Sequence, residues 1–188
     1  QDAEDKLWYH SYWVKAGKHF PKRKIFWGRG NGWVICALPM ILENLPTDHP
    51  ERNRIIKILR ETSEALLPYQ RQDGYFETVF NKVGKTDRES SATALIAAGW
   101  LHAVRRGWLD ETYKEPAVKA FQSVVNDFEI ENGNIYMPEI SGPTIPVPIF
   151  PYAGYKWMPR GRNWSYGVAA VLFAAIAYQK LLDKSEYV

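Results

Sequence analysis

The spacing of apolar residues constrains this chain most, because it is helical almost throughout and comes in two alternating kinds. Over Pro50 to Gln70, the residues Ile55, Ile56, Leu59, Leu66, Leu67 and Tyr69 form one stripe while Glu51, Arg54, Lys57, Arg60 and Glu64 lie mostly opposite. That is the pattern of a helix with one wet face. Asp110 to Glu129 repeats it, with Ala117, Val118, Phe121, Val124, Val125 and Phe128 against Glu115, Lys119, Gln122 and Asp127. Three other stretches, Gly32 to Leu45, Ser90 to Val104 and Trp164 to Leu182, are rich in Ala, Gly and aliphatics and carry almost no charge. Such helices are expected to be enclosed by other helices. The order is buried, surface, buried, surface, buried, which predicts an all-α fold in two concentric layers, as in an α/α toroid.

The connections repeat as well. Asp73-Gly74 and Asn132-Gly133 are tight-turn dipeptides, each followed by a short β-prone run. Ser141 to Gly161 is rich in proline and aromatic residues and too apolar for a solvated linker, so it reads as an ordered loop packed over something, often a functional arrangement. In a toroid the loops leading into the inner helices share one end. Those loops are FWGRGNGW, KTDRES and MPRGRNWSY, which predicts that Arg29, Asn31, Glu89, Arg162, Asn163 and nearby rings converge on one mouth.

Composition narrows what such a mouth receives. Of 188 residues, 8 are Trp and 11 Tyr, more ring surface than a core of this size needs. Rings stack on the apolar faces of pyranoses, arginine pairs with carboxylates, and helix N-termini favour anions, so an anionic sugar suits the mouth. The 24 Lys and Arg are interleaved with 21 Asp and Glu, which argues against nucleic acid and against an RNA-binding helical array. The longest uninterrupted apolar stretch, Val168 to Tyr178, is too short to span a bilayer, so no membrane partner is expected. The opening QDAEDK has no basic or apolar leader region and reads as a processed or trimmed end. The single Cys36 reads as a small buried hydrophobe, excludes an internal disulfide and leaves the compartment open.

The run WGRGNGW (Trp27 to Trp33) resembles the motif of the unsaturated rhamnogalacturonyl hydrolases, glycoside hydrolase family 105, related to the unsaturated glucuronyl hydrolases of family 88. LWYH at Leu7 to His10, LPYQ followed by DG at Leu67 to Gly74, ESSATALIAAGW at Glu89 to Trp100, RGWLD at Arg106 to Asp110 and ENGNI at Glu131 to Ile135 extend the resemblance over essentially the whole chain. It implies an (α/α)6 barrel acting on oligosaccharides that end in a C4=C5 unsaturated uronic acid. A protonated Asp adds a proton at C4, water adds at C5, and the hemiketal opens. No metal or organic cofactor is implied. By position, His10 matches an active-site histidine that hydrogen-bonds substrate or water, Arg29 the group that binds the uronate carboxylate, and Trp27 and Trp33 the walls against the sugar. Twelve helices are implied and five are legible here, so residues 1–188 are expected to be the C-terminal part of a single α/α-barrel catalytic domain, about half the barrel. Asp2 and Asp5 are in the wrong local context for the general acid, which is expected upstream of Gln1. The partners implied are the unsaturated oligosaccharide and the remaining half of the barrel or a second copy.

The residues also admit plainer readings. Trp27 and Trp33 can anchor a core at a helix start, and Arg29 can cap a neighbouring helix. Glu89 is either a catalytic carboxylate or a first-turn acid complementing a helix dipole. Asn31 is a weaker ligand candidate, and Asn163, Trp164 and Tyr166 either line the site or pack beneath the proline-rich loop. His19, His49 and His102 lack metal-ligand spacing. The three glycines of the motif fit tight turns better than a phosphate loop. A non-catalytic saccharide-binding or scaffold half-toroid is the alternative to an enzyme.

Overall fold

The computed structural model describes residues 1–147 and 150–185. Five long helices occupy the predicted segments: α1 (Gly28–Asn44), α2 (Arg52–Leu66), α3 (Ser90–Arg105), α4 (Lys114–Asn126) and, after a short α5 (Ala153–Lys156), α6 (Ser165–Ser185). Inner helices α1, α3 and α6 stand side by side with α3 in the middle, and α2 and α4 pack behind them. Helix α3 lies between two apolar clusters. One joins Leu42, Leu59, Leu66 and Phe76 around Trp100, and the other joins Leu95 and Ala98 to Val124, Ala170 and Ala174. Glycine sets how closely α1 and α3 approach, since a Cβ on Gly99 would collide with the backbone of Ile35. Behind α3 the indole of Trp100 donates to Ser63 Oγ at 3.0 Å, fixing α2 against it.

Local chemistry explains the helix ends. Leu45, which precedes Pro46, is extended at ψ 132°, and this stops α1. After α3, Gly107 at φ 71° lets its own N–H and that of Trp108 bond back to Val104 and Ala103. This closes the helix with a left-handed glycine turn.

Three expectations are corrected. Of the three helices read as enclosed, only α3 is. Helix α1 exposes Trp33, Met40 and Ile41, and α6 exposes Leu172 and Ile176. Their apolar outer flanks have no neighbouring inner helix among the described residues. Secondly, Ser165–Asp183 of α6 is long and apolar enough to cross a membrane by length and composition, at mean hydropathy 1.4. Counting an unbroken apolar run missed it, because Ser165 and Gly167 before the run and Gln179 and Lys180 after it end the count while leaving the mean hydropathy high. Thirdly, the helical frame carries three short antiparallel ribbons: β1 (Ser11–Trp13) with β2 (Lys18–Phe20), β3 (Glu129–Glu131) with β4 (Asn134–Tyr136), and β5 (Ile140–Ser141) with β6 (Arg160–Gly161). Asn132 and Gly133, at φ 50° and 77°, turn β3 into β4, so strands flank that dipeptide on both sides. The segment after Asp73-Gly74 forms only isolated bridges, Trp27 with Val79 and Glu77 with Arg88.

Candidate active site

The N-terminal ends of α1, α3 and α6 meet at one end of the helix row, and the proline-rich loop folds over them. Helix α1 begins at Gly28, so most of WGRGNGW is helix and not loop. Trp27 is its N-cap residue, and the indole folds back over the first turn because Gly30 has no Cβ, which would sit 2.7 Å from the ring. His10 stacks on Trp27, with centroids 4.3 Å apart and planes within 12°. On the other side His10 Nδ1 meets the hydroxyl of Tyr155, from α5, at 2.8 Å.

The protonation of this pair follows from its surroundings. Tyr155 is buried, and burial pushes its phenol far above the usual range. Burial, together with the charge of Arg29, pulls His10 below the ordinary histidine value. Both groups are therefore neutral near pH 7, and because the Tyr155 hydroxyl has no other acceptor among the described residues, its proton is assigned to the bond with Nδ1. The ring proton of His10 is then on Nε2, making that edge a hydrogen-bond donor and not a base. The indole N–H of Trp27 is also buried and without an acceptor among the described residues.

Arg29 lies one position into α1 and is 3% exposed. Its guanidinium is sandwiched between the rings of Trp27, at 5.0 Å, and Tyr166, at 4.4 Å. Nη1 donates to the Ser141 carbonyl at 2.9 Å and Ser141 Oγ at 3.1 Å, and Nη2 to the Gly142 carbonyl at 2.8 Å. Arg29 therefore clamps the start of the proline-rich loop, and it is not the open carboxylate fork that the sequence suggested. Its Nε–H is the edge with no hydrogen bond among the described residues. Glu89, 0% exposed, lies 3.4 Å from Nη1. It caps α3, accepting from Ala92 N at 2.5 Å, from Ser91 Oγ and from Ser141 N. With both carboxylate oxygens engaged, the capping alternative describes it.

The remaining candidates separate. Asn31 is buried and structural: its amide donates to the carbonyls of Trp8 and Trp27 and accepts from Trp8 N, tying the segment that carries His10 to α1. Trp33 lies one turn beyond Arg29 on the same face of α1, 38% exposed and without ring contact to the Trp27–His10 stack. Tyr166 reaches the site, donating to the Ser141 carbonyl at 2.7 Å beneath Arg29, and Trp164 packs edge-on against it and under Gly142 and Gly161. Arg162 and Asn163 do not join the mouth. Arg162 pairs with Glu129 and Glu131, and Asn163, at φ 53°, bonds to Ile135 and Met137, so both secure the β3–β4 ribbon. Near the chain start, the carboxylates of Asp2, Glu4 and Asp5 surround Lys24 Nζ at 3.3, 2.6 and 2.7 Å. Partial burial works against ionisation of Asp2, but the amides of Asp5 and Glu4, Tyr9 and Lys24 outweigh it and hold the carboxyl far below its usual range. Tyr155 was not singled out from sequence. The only signal was the ring content of a loop too apolar to be a linker.

A row of three inner and two outer helices with rings, a histidine and an arginine gathered at the inner N-termini is about half of an (α/α)6 toroid. Residues 1–182 match Glycosyl Hydrolase Family 88, and the chain belongs to that family. It is 32% identical over 152 residues to an unsaturated 3S-rhamnoglycuronyl hydrolase of Alteromonas sp. (strain LOR), covering 80% of this chain and 34% of that protein. It is 28% identical over 182 residues to the unsaturated rhamnogalacturonyl hydrolase YesR of Bacillus subtilis (strain 168), covering 96% of this chain and 49% of that one. A solved structure described as a possible GH105 member from Klebsiella pneumoniae superposes with a TM-score of 0.83 at 27% identity, over 98% of this chain and 46% of that one. The chain thus spans a third to a half of the length of these relatives.

Proposed function

We propose that residues 1–188 are the C-terminal part of a single α/α-barrel catalytic domain that hydrates the C4=C5 enol ether of unsaturated uronic-acid-terminated oligosaccharides, and that this chain supplies the substrate-binding half. The observation that carries the reading is the constellation of His10, Trp27, Arg29 and Tyr155 at the head of α1 in a member of this family. In this reading the sugar lies beside the Trp27–His10 stack, and the His10 Nε2–H donates to one of its oxygens. The uronate carboxylate meets the Nε edge of Arg29, a cation held in place by Ser141 and Gly142. Trp33 forms a wall lower on α1. The proton for C4 comes from a carboxyl group outside this chain, since Glu89, the carboxylate beside Arg29, is fully committed to capping α3. Water then adds at C5, and opening of the hemiketal releases the remaining saccharide.

The experiment is incubation of the full-length protein with an unsaturated uronyl disaccharide while the ultraviolet absorbance of the conjugated double bond is followed. Loss of absorbance with release of the second sugar is expected. Saccharide binding without turnover would overturn the enzyme reading and leave a binding half-toroid.

A further inference from the structure

The proline-rich loop brings Tyr155 to His10, yet little regular structure holds it. It starts and ends in the ribbon β5–β6, where Ser141 and Arg160 are paired, and α5 within it has four residues. Arg29 grips the entry to the loop at Ser141 and Gly142. The exit is gripped by a second arginine, which the site above does not use. Arg160 donates from Nε to Glu139 Oε2 at 2.9 Å, and from Nη2 to the Glu139 carbonyl at 2.8 Å and to the Arg88 carbonyl. Arg88 directly precedes Glu89, the cap of α3, so this contact ties the end of the loop to the head of the middle inner helix. Glu139 itself sits at φ 61°, in the left-handed region that a residue with a side chain adopts at a cost. There its carbonyl also accepts from Ser90 N at 2.9 Å, at the start of α3, and two residues further on Ser141 N donates to Glu89 at 3.0 Å. Bound to both the carbonyl and the carboxylate of Glu139, Arg160 fixes that conformation.

We propose that Arg160 is a positioning residue for the reaction: by latching the exit of the loop to the head of α3, it sets the direction from which the Tyr155 hydroxyl meets His10 Nδ1. The proposal rests on the uronyl hydrolase reading. Arg160 follows α5, the element that carries Tyr155, after only Trp157, Met158 and Pro159. The Tyr155 ring also packs in an apolar cluster with Ile25 and Val79. Apolar packing is non-directional, so it fixes the depth of the ring and not the aim of its hydroxyl. A planar guanidinium fork holding two carbonyls and a carboxylate fixes the backbone from which that aim follows.

The test compares Arg160→Gln, Arg160→Lys and Arg162→Gln in the full-length protein. Arg162 pairs with Glu129 and Glu131 away from the mouth and controls for the loss of an arginine in the same stretch of chain. Nitrogen NMR of labelled histidine reads the His10 tautomer, and hydrogen exchange reads the amides of Tyr155 and Lys156, which both bond to the Tyr152 carbonyl. In Arg160→Gln, those amides should exchange at least about tenfold faster and His10 should lose its exclusive Nε2–H form. On an unsaturated uronyl disaccharide, kcat should fall at least about tenfold with KM within about twofold. Arg160→Lys, which keeps the charge without the fork, should fall between, and Arg162→Gln should match the wild type. An unchanged His10 tautomer in folded Arg160→Gln overturns the proposal whatever happens to kcat, and so does an equal change in Arg162→Gln. Where Arg160→Gln does not fold, Arg160→Lys decides by the same criterion. If the wild-type protein turns over no unsaturated uronide, the hydrolase reading fails by itself, and the tautomer and exchange measurements still decide the latch.

Discussion

Replacing Arg29 by Ala tests whether the arginine holds the loop as well as facing substrate. The substitution removes a guanidinium that is 3% exposed and leaves the Gly142 carbonyl without its donor, while the Ser141 carbonyl keeps only the Tyr166 hydroxyl. It also withdraws the positive charge nearest to Glu89 and empties the space between Trp27 and Tyr166. Breaking a buried ion pair from one side costs about 3–5 kcal/mol, and each orphaned buried acceptor about 1–3 kcal/mol. Glu89 keeps its hydrogen bonds from Ser91, Ala92 and Ser141, so the lower end of the combined range applies, about 4 kcal/mol. For a unit of this size that lowers the unfolding midpoint by about 8–16 °C. Thermal unfolding followed by circular dichroism measures it, with activity recorded on the same sample. An arginine that only clamps a substrate carboxylate would lower activity and leave the midpoint almost unmoved. A shift below about 2 °C would refute the loop-holding role.

Other outcomes follow from the same geometry. Ile176→Asp, at a residue 54% exposed on the open flank of α6, should destabilise the full-length protein by about 2–4 kcal/mol if that flank packs against the other half of the barrel; an unchanged urea midpoint would show the flank to be solvated. Tyr155→Phe should lower kcat at least about tenfold, and nitrogen NMR of labelled His10 should show Nε2–H losing its exclusive population; an unchanged tautomer would remove Tyr155 as its positioning residue. For pH, His10 and His102 are both held below the ordinary value of 6.5, mainly by burial. The unfolded chain therefore binds more protons than the folded one below that value. Stability should be full above about pH 6.5 and fall as pH drops toward the depressed folded values. His10→Gln should shrink that loss between pH 7.5 and 5.5, and an identical loss in the variant would contradict the assignment. Gly99→Ala should cost about 1–3 kcal/mol by forcing α1 off α3, checked by chemical denaturation.

The sequence by itself determined the five long helices, their alternation and the family. Apolar spacing is a property of consecutive residues, and the core each helix requires is written along its own face. It also put Trp27 and Arg29 in the segment leading into the first inner helix, and His10 entered through the family resemblance. What only the tertiary structure decided is which groups share space. That α1 and α6 leave apolar flanks open depends on which neighbours are present, a fact that no helix encodes about itself. Arg29 and Glu89 are 60 residues apart, and Ser141 is 112 residues from Arg29. Their mutual satisfaction makes Arg29 a loop clamp and settles the two readings of Glu89 in favour of the acid at the helix start. Arg162 sits two residues from Trp164 in the same loop, yet the β3–β4 ribbon takes its charge away from the mouth. Tyr155 was invisible for the same reason. Its role depends on burial and on a bond to His10 across 145 residues, and neither is a property of the local sequence.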